Sequence, residues 1–422
     1  MAPDPRRASV GTDETITTSL DRAPQEALSA LFLRFLKFGA MAWGGPMAQI
    51  AMLRRSLVEE QHWVSSEHFN RILALYQVLP GPEAHEMCVY FGTLARGRIG
   101  GLLAGLGFML PGFLLILVLS WAYFHLGLDL RGNLSLLFAA AQAAVIALIV
   151  RAVHRIGSHV LLNPWLWGIG VGSFLGQLMG VHFAVLLTCG GLIYFIQRFN
   201  PTLTVVLLVL CFAGLVGSYG IYGLFDSSPL TQPVVVDALG SEALRQASLA
   251  ALFWSGLKAG LLTFGGAYTV IPFLQRDAVS QGAWMSNAQF MDGIALSGLL
   301  PAPLIIFSTF VGYAGGGLAG AIVMTVAIFL PAFVLPILIH EPLDRLLHDT
   351  RIRDFLDGIT AAVVGLIAGT AVALLMAAVK DAYTAAVFLV SAGLLFYSNH
   401  RLIVPLVIAG AAVVGAFAMA VT

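Results

Sequence analysis

Residues 37–46 read KFGAMAWGGP, and residues 258–267 read KAGLLTFGGA. A second motif follows each stretch at the same distance, since LPGP stands at 79–82 and LPAP at 300–303. The two copies therefore share one frame, 221 positions apart. Glycine weakens a helix and proline lacks the N–H that would bond back along it, so both motifs break helices. Duplicated breaks at fixed spacing predict two structural repeats with a binding site between them.

The shared frame also divides the chain. We expect a disordered cytoplasmic tail at 1–28, a first repeat at 29–224, a linker at 225–246 and a second repeat at 247–422. The names first repeat and second repeat are kept for these ranges. Their matched residues are Lys37 and Lys258, Gly44-Gly45 and Gly265-Gly266, Arg55 and Arg276, Pro80 and Pro301, and Pro82 and Pro303.

The composition is that of a membrane protein. Of 422 residues, 59% are hydrophobic and 10% are charged, whereas a soluble protein has about 25% charged residues. A net charge of zero gives no electrostatic reason to bind nucleic acid. The three cysteines are far apart and form no C-x-x-C pair. We therefore expect neither a disulfide framework nor a zinc site, and no cofactor or other metal.

Apolar stretches long enough to enter a bilayer of about 30 Å predict thirteen segments. They run at 29–53, 69–92, 100–125, 134–153, 163–180, 183–197 and 202–224, then 247–273, 290–314, 318–340, 356–379, 382–397 and 402–421. Seven segments, an odd number, precede the second copy, which would invert it. With a cytoplasmic N-terminus, 14 basic residues fall inside and 6 outside, as the positive-inside rule requires.

The predicted fold is accordingly an all-α polytopic membrane protein. It has two inverted-topology helical repeats with Gly/Pro-broken helices and about 13 membrane segments, some of them short or re-entrant. One alternative stays open. If the first two segments re-enter instead of crossing, the loop with Arg54 and Arg55 changes sides while the later topology holds.

The breaks predict helices that begin inside the membrane, at Pro46 and at Pro82, because proline suits the first position of a helix. Free N–H groups and the positive end of the helix dipole attract anions at such a start. Gly265-Gly266 and the segment Pro301–Pro303 are the counterparts in the second repeat. The alternative is that each motif is an ordinary kink, which transmembrane helices tolerate.

Charged residues near the breaks have two interpretations. Lys37 and Lys258 precede each Gly-Gly pair by seven residues and either attract anions at a vestibule or extend toward the interface. Arg55 and Arg276 stand where each broken segment emerges, which fits positioning or gating.

The copies differ chemically directly after Pro82. Glu83, His85 and Glu86 enter an apolar segment there, and the second repeat has only apolar residues in this neighbourhood. We expect these residues to couple proton movement, since desolvation favours the protonated carboxyl. The alternative is that the carboxylates balance the helix dipole. Asp292, two residues into its segment, is expected at the membrane interface.

The sequence resembles the chromate ion transporter family. The resemblance is carried by GAMAWGGP at 39–46, WVSSEHF at 63–69, LPGP at 79–82 and GFMLPGF at 107–113. The second copy, FGGA at 264–267 and LLPAP at 299–303, is typical of the long two-domain form.

The resemblance implies a secondary transporter of the bacterial inner membrane that exports chromate, driven by the membrane potential or the proton gradient. It implies sulfate-related roles as well. The anion site would lie at the matching motif positions, which are Gly44, Gly45, Pro46, Pro80, Gly81, Pro82, Gly265, Gly266, Pro301 and Pro303. The run EAHEMCVYFG at 83–92 departs from the family pattern and leaves the physiological anion open.

We therefore expect a transporter of a tetrahedral oxyanion, chromate first and sulfate second, and not an enzyme. Its partners would be the oxyanion and the bilayer, and a homodimer stays open. The alternatives are a passive oxyanion channel, and uptake or exchange of sulfate in place of chromate export. An intramembrane enzyme would need a motif such as H-E-x-x-H, which is absent, and a scaffold subunit would not need duplicated breaks.

Overall fold

A computed structural model describes residues 25–126, 135–199, 202, 245–264, 266–338, 350–398, 400 and 402–421. Most of the predicted tail, the segment 202–224 and the linker 225–246 lie outside these residues, as does Gly265. Within the described part of the chain, the regular structure is entirely helical. The predicted all-α class is thereby confirmed.

The two repeats have seven α-helices each in the described residues. The first repeat has α1 (Leu28–Ala40), α2 (Gly45–Arg54), α3 (Ser66–Val78), α4 (Glu83–His125), α5 (Ser135–Val160), α6 (Pro164–Leu178) and α7 (Phe183–Gln197). The second has α8 (Leu249–Leu261), α9 (Ile271–Gln275), α10 (Asn287–Gly298), α11 (Phe307–Leu338), α12 (Thr350–Ala378), α13 (Ala382–Tyr397) and α14 (Ile403–Val421). Helices α2 and α9 each continue into a six-residue π-helical turn, Arg55–Glu60 and Arg276–Gln281.

The first two predicted segments of the first repeat are each divided into two short helices that fold back on one another. Helix α1 has 13 residues and is about 20 Å long, too short to cross about 30 Å of hydrocarbon. Arg34 on α1 donates a hydrogen bond to Gln61, beyond α2. The Phe69 and Phe91 rings, on the two sides of the Pro80–Pro82 break, stack with centroids 5.8 Å apart. Each break is therefore the tip of a hairpin.

Helices α4 and α11 each contain a tight glycine turn. Gly97 has φ +63° and Gly317 has φ +59°, a conformation that a side chain disfavours. The chain reverses there, and a Cβ added to Gly92 would lie 2.5 Å from the Gly100 carbonyl oxygen. In α11, the Thr309 and Thr325 hydroxyls are 2.7 Å apart across the equivalent turn. The arms 83–95 and 98–125 are thus antiparallel, as the boundary predicted near 92–100 requires.

The equivalent long arms of the two repeats pack antiparallel at the centre of the molecule. A Cβ on Gly101 would lie 3.2 Å from Ile337, and a Cβ on Gly105 would lie 2.3 Å from Phe333, so later positions of α4 meet earlier positions of α11. The outer helices are exchanged between repeats, since α5 packs against α13 and α14 while α12 packs against α6 and α7. Each repeat thus packs outer helices against the other repeat, and the interface between the repeats extends through the whole core.

Four helices in the described residues are long and apolar enough to cross a membrane. They lie within Glu83–His125, Leu136–Val160, Leu304–Leu338 and Thr350–Ala378. Shorter apolar helices are Phe183–Gln197, Leu249–Leu261, Ala382–Tyr397 and Ile403–Met419. The molecule is therefore a helical membrane protein.

Candidate functional site

Helix breaks from opposite repeats meet at the centre of the molecule. The Gly81 N–H donates a hydrogen bond of 2.8 Å to the Thr263 carbonyl oxygen. A Cβ on Gly112 of α4 would lie 2.4 Å from the Ala302 Cβ, so the break Pro301–Pro303 packs closely against the first repeat. The break Pro80–Pro82 thus contacts the first break of the second repeat, which begins at Thr263. The break Pro301–Pro303 contacts α4.

The break at Gly44–Pro46 has the predicted helix start. Gly44 precedes α2 with φ +92°, and Gly45 has φ +76°. A Cβ on Gly45 would meet no atom within 4 Å, so the N-terminus of α2 faces open space. No side chain caps the start of α2, which is also the arrangement of helix starts that bind anions.

The second repeat begins its half-helices differently. Gly266 has φ +114° and leads into a 3₁₀ turn, Ala267–Val270, before α9. Pro303 leads into another 3₁₀ turn, Leu304–Ile306, before α11. In the first repeat, α4 begins directly after Pro82. The tighter 3₁₀ turns give the second repeat narrower half-helix ends than the first.

Glu83, His85 and Glu86 are buried at the start of α4, with exposed fractions of 8%, 0% and 0%. Glu83 Oε2 and both Glu86 carboxylate oxygens have no hydrogen-bond partner among the described residues. A charged carboxylate without a partner costs several kcal/mol of burial free energy. These groups must therefore be neutral or meet a partner from outside the described residues.

His85 is enclosed by aromatic rings from both repeats. Its ring centroid lies 4.9 Å from that of Phe329 and 4.8 Å from that of Phe333. The Gly105 carbonyl approaches the imidazole, yet neither ring nitrogen makes a hydrogen bond within the described residues. Among those residues, no three His, Cys, Asp or Glu side chains lie close enough to hold a metal ion. His85 therefore has a position suited to packing between the repeats.

Glu83 lies at the contact between the repeats. Its Oε1 atom would be 3.9 Å from a Cβ on Gly266. Arg155 of α5 is close enough to interact electrostatically with Glu83 and with Tyr268, which follows Gly266. No local pattern indicates this contact, because Arg155 stands among other basic residues near a helix end. Arg155, Tyr268 and Thr263 are thus site residues that sequence reasoning missed.

The two matched lysines have different surroundings. Lys258 forms an ion pair with Asp277 at 2.6 Å, and the Ser255 hydroxyl donates to the same carboxylate at 2.6 Å. Lys37 is exposed on α1 and has no ion pair within the described residues. The Lys258 ammonium is therefore paired with a carboxylate, whereas the Lys37 ammonium is exposed; attraction of anions and extension toward the interface stay predictions for both lysines.

The matched arginines each open a π-helical turn. Arg55 is exposed and pairs with Glu60 at 2.9 Å. Arg276 lies over the Phe183 ring at 5.6 Å, and Lys258 lies at the same distance from that ring. π-helical turns are rare and often mark functional sites, and here they recur at equivalent positions.

The corner around Phe183 is electropositive. Burial first, and then the charges of Arg276 and Lys258, lower the pKa of His182 in the loop before α7, against the opposing effect of Asp277. Asp277 therefore does not fully offset the two cations. This corner connects the first repeat, through α7, to the start of the second.

Asp292 is a buried structural residue. The Tyr123 hydroxyl donates to it at 2.6 Å and the Gln142 amide at 2.8 Å. Helices α4 and α5 cover this end of α10, and the interfacial depth expected for Asp292 stays a prediction. Ser286 and Gln289, by contrast, form a reciprocal capping box at the start of α10.

A duplicated helical membrane scaffold with broken helices meeting at its centre defines the class as a two-repeat membrane transporter. The family model described as "Chromate transporter" matches residues 29–217 and 250–416, and the chain belongs to this family. It is 48% identical to a chromate transport protein of Pseudomonas aeruginosa, over 97% of this chain and 96% of that protein.

Two further relatives cover nearly the whole chain. A chromate transport protein of Cupriavidus metallidurans is 30% identical, over 96% of each chain. A probable chromate transport protein of Synechococcus elongatus is also 30% identical, over 93% of this chain and 96% of that protein. No solved structure matches.

Proposed function

We propose that the protein is a secondary transporter that exports chromate, with sulfate as a competing or physiological substrate, and that protons move with the anion. The observation that carries this proposal is the pair of buried carboxylates, Glu83 and Glu86, beside the contact between breaks of opposite repeats. The relatives named as chromate transport proteins support chromate as the oxyanion.

In this proposal the repeats are inverted. A two-fold axis along the helices would make equivalent helices parallel, whereas the contacts of Gly101 with Ile337 and of Gly105 with Phe333 make the long arms of α4 and α11 antiparallel. The axis then lies in the membrane plane, as in other inverted-repeat transporters.

The folded-back hairpins make the predicted orientation more consistent with the charges. If they re-enter, Arg54, Arg55 and Arg71 move to the cytoplasmic side and Arg276 to the outer side. The distribution of basic residues then changes from 14 against 6 to 16 against 4. The arm 98–125, α5, α6, α7 and the predicted segment 202–224 still make an odd number of crossings. The positive-inside rule therefore favours a cytoplasmic N-terminus and an inverted second repeat.

The oxyanion would bind at the breaks. Backbone N–H groups after Gly44, Gly45 and Pro46, and those around Gly266, offer hydrogen bonds and a positive dipole end to a dianion. The remaining motif residues, Pro80, Gly81, Pro82, Gly265, Pro301 and Pro303, would shape the same space. Arg155 supplies the full positive charge nearest to Glu83 in this scheme.

The other cations would act at the vestibules. Lys37 and Arg55 are exposed on the side where the first repeat's hairpins open. Lys258 and Arg276 flank Phe183 at the corresponding corner of the second repeat. Exposed charges raise the local concentration of an anion and thereby its association rate.

Coupling follows from electrostatics. An ionised Glu83 or Glu86 repels a dianion in a site of low dielectric constant, so protonation and anion binding favour one another. Proton and anion then cross together. A dianion that leaves with one proton still carries one negative charge outward, and the membrane potential drives this movement by about 2.3 kcal/mol per 100 mV.

Oxyanion competition in proteoliposomes tests the proposal. Purified protein should accumulate labelled chromate when a membrane potential, positive on the destination side, is imposed, and sulfate should compete because backbone N–H groups recognise shared charge and shape. Phosphate and molybdate serve as comparisons. A flux that responds to the anion gradient and the membrane potential but ignores an imposed pH gradient would favour the passive channel, and no oxyanion flux at all would contradict the proposal.

A further inference from the structure

Aromatic and polar side chains connect the buried carboxylate Glu86 to the protein surface. His68, near the start of α3, is partly exposed, and its Nε2 atom lies 2.8 Å from the Tyr90 hydroxyl. Arg71 lies beside the other ring nitrogen at 3.4 Å. The imidazole therefore has one face toward solvent and one toward the interior.

The connection continues inward through two buried tyrosines. The Tyr90 and Tyr76 rings lie with centroids 6.2 Å apart. Tyr76 is fully buried and close enough to Glu86 for an electrostatic effect; the Glu86 carboxylate lies against Gly81, in the break that follows α3. A phenol hydroxyl both donates and accepts hydrogen bonds. Each tyrosine can therefore accept one proton and release another, and return to its neutral form.

We propose that His68, Tyr90 and Tyr76 form a proton relay between the solvent and Glu86. A proton that arrives on His68 passes from Nε2 to the Tyr90 oxygen, the Tyr90 proton passes to Tyr76, and the Tyr76 proton passes to the Glu86 carboxylate. One proton is lost at His68 and one is gained at Glu86, and each tyrosine ends as it began. This relay rests on the proton coupling proposed above.

The second repeat supports this assignment independently. At the positions equivalent to His68, Tyr76, Glu86 and Tyr90, 221 residues later, stand Gln289, Ser297, Phe307 and Val311. All four members of the relay are therefore replaced together by residues that do not titrate. Gln289 caps α10 and the Ser297 hydroxyl donates to the Ile294 carbonyl, so these positions have local roles there.

The step between Tyr76 and Glu86 requires a change of position. Both Glu86 oxygens lack a hydrogen bond within the described residues, so transfer needs a side-chain rotation or one bridging water. Glu83 is the other charged group that acts on Glu86, and Arg155 acts on Glu83 in turn. An anion that moves Glu83 or Arg155 would therefore move Glu86 as well, and would allow or prevent proton transfer from Tyr76 to Glu86.

The relay is tested in proteoliposomes that contain a pH-sensitive dye, with the variants Tyr76→Phe, Tyr90→Phe and His68→Gln. The last variant introduces the residue that the second repeat has at the equivalent position, Gln289. Net proton-coupled chromate flux should fall about a hundredfold, the lower end of what a positioned proton-transfer group contributes. Exchange of labelled for unlabelled chromate at equal concentrations, which requires no net proton transfer, should persist. Tyr194→Phe, which removes a hydroxyl that binds Asn163, is the matched control.

Small buffers give a second readout. Added imidazole should restore proton flux to His68→Gln, which a merely structural role would not allow. Coupled flux at the wild-type level in both phenylalanine variants, or an equal loss of exchange and coupled flux without rescue, would overturn the relay alone. Wild-type protein that moves chromate without protons would instead contradict the proton coupling itself.

Discussion

At the start of the inner half-helix, the first repeat carries two carboxylates and an imidazole, and the second repeat carries only hydrocarbon. The residues are Glu83, His85 and Glu86 against Leu304, Ile306 and Phe307. The chain nevertheless follows the same path in both repeats, with a hairpin tip before these residues and a glycine turn after them, although the second repeat begins with a 3₁₀ turn. Both repeats therefore have the scaffold and the helix breaks, whereas the titratable side chains at this position are present in the first repeat alone.

A similar difference separates the matched lysines. Lys258 is held by Asp277 and its neighbour Ser255, whereas Lys37 is exposed. The equivalent positions of Asp277 and Ser255 in the first repeat are Ser56 and Arg34, so the acid is absent there. Other contacts stabilise the equivalent part of the first repeat. The Arg34 guanidinium, for example, lies 5.4 Å from the centroid of the Trp63 ring. Stability and coupling are thus distributed unequally over a symmetric frame.

The largest expected effect comes from removing the charge that the second repeat lacks. Glu86→Gln should abolish the pH-gradient dependence of chromate flux and lower coupled flux by about a hundredfold or more, because the residue would neither bind nor release a proton. Flux measured over a series of imposed pH gradients checks this. Glu60→Gln, at an exposed acid paired with Arg55, is the control, and an unchanged pH dependence in Glu86→Gln would refute the assignment.

The next largest effect is a loss of stability at glycines that both repeats share. A Cβ on Gly39 would lie 2.2 Å from the Phe108 carbonyl oxygen, and one on Gly260 2.3 Å from that of Ile328. Gly39→Ala and Gly260→Ala should each lower the free energy of unfolding by about 1–3 kcal/mol, since the backbone must move. Thermal unfolding in detergent measures both.

Gly393→Ala on α13, where a Cβ would meet open space, is the control. It should cost no stability, because alanine favours a helix over glycine by up to about 1 kcal/mol. A loss confined to one of the two equivalent glycines would show that the repeats are not packed alike.

The smallest effect concerns the lysines. Lys258→Met should lower the free energy of unfolding by about 1–2 kcal/mol, because Asp277 would stay buried without its cation. The value is modest since the Lys258 side chain is 36% exposed and therefore screened. Lys37→Met should change stability by less than about 0.5 kcal/mol. A double variant with Asp277→Asn should recover part of the loss, and equal losses at both lysines would remove the distinction.

The positions of the breaks could be predicted from the sequence because they depend on local properties. Gly44-Gly45-Pro46 disfavours the continuation of a preceding helix through its own backbone properties, and α2 begins at Gly45 accordingly. The turn at Gly97 was predictable as a boundary between apolar runs. The family was also recognisable, since its motifs are short and ordered along the chain.

Contacts between distant residues could not be predicted in this way. Nothing near Lys258 in the sequence indicates Asp277 as its partner, and the folding back of α3 on the arm 83–95 depends on packing such as that of Phe69 on Phe91. Arg155 and Tyr268 reach the site only because the outer helices are exchanged between repeats. One-dimensional periodicity contains no information about such an exchange.

The central claim is that protons and oxyanion cross together through a site whose titratable groups come from the first repeat. Interior pH recorded in chromate-loaded proteoliposomes during chromate efflux tests it most directly. The account predicts a rise of interior pH that follows chromate efflux and disappears in Glu86→Gln. Chromate efflux of normal rate with the same small pH change in wild type and Glu86→Gln would contradict it.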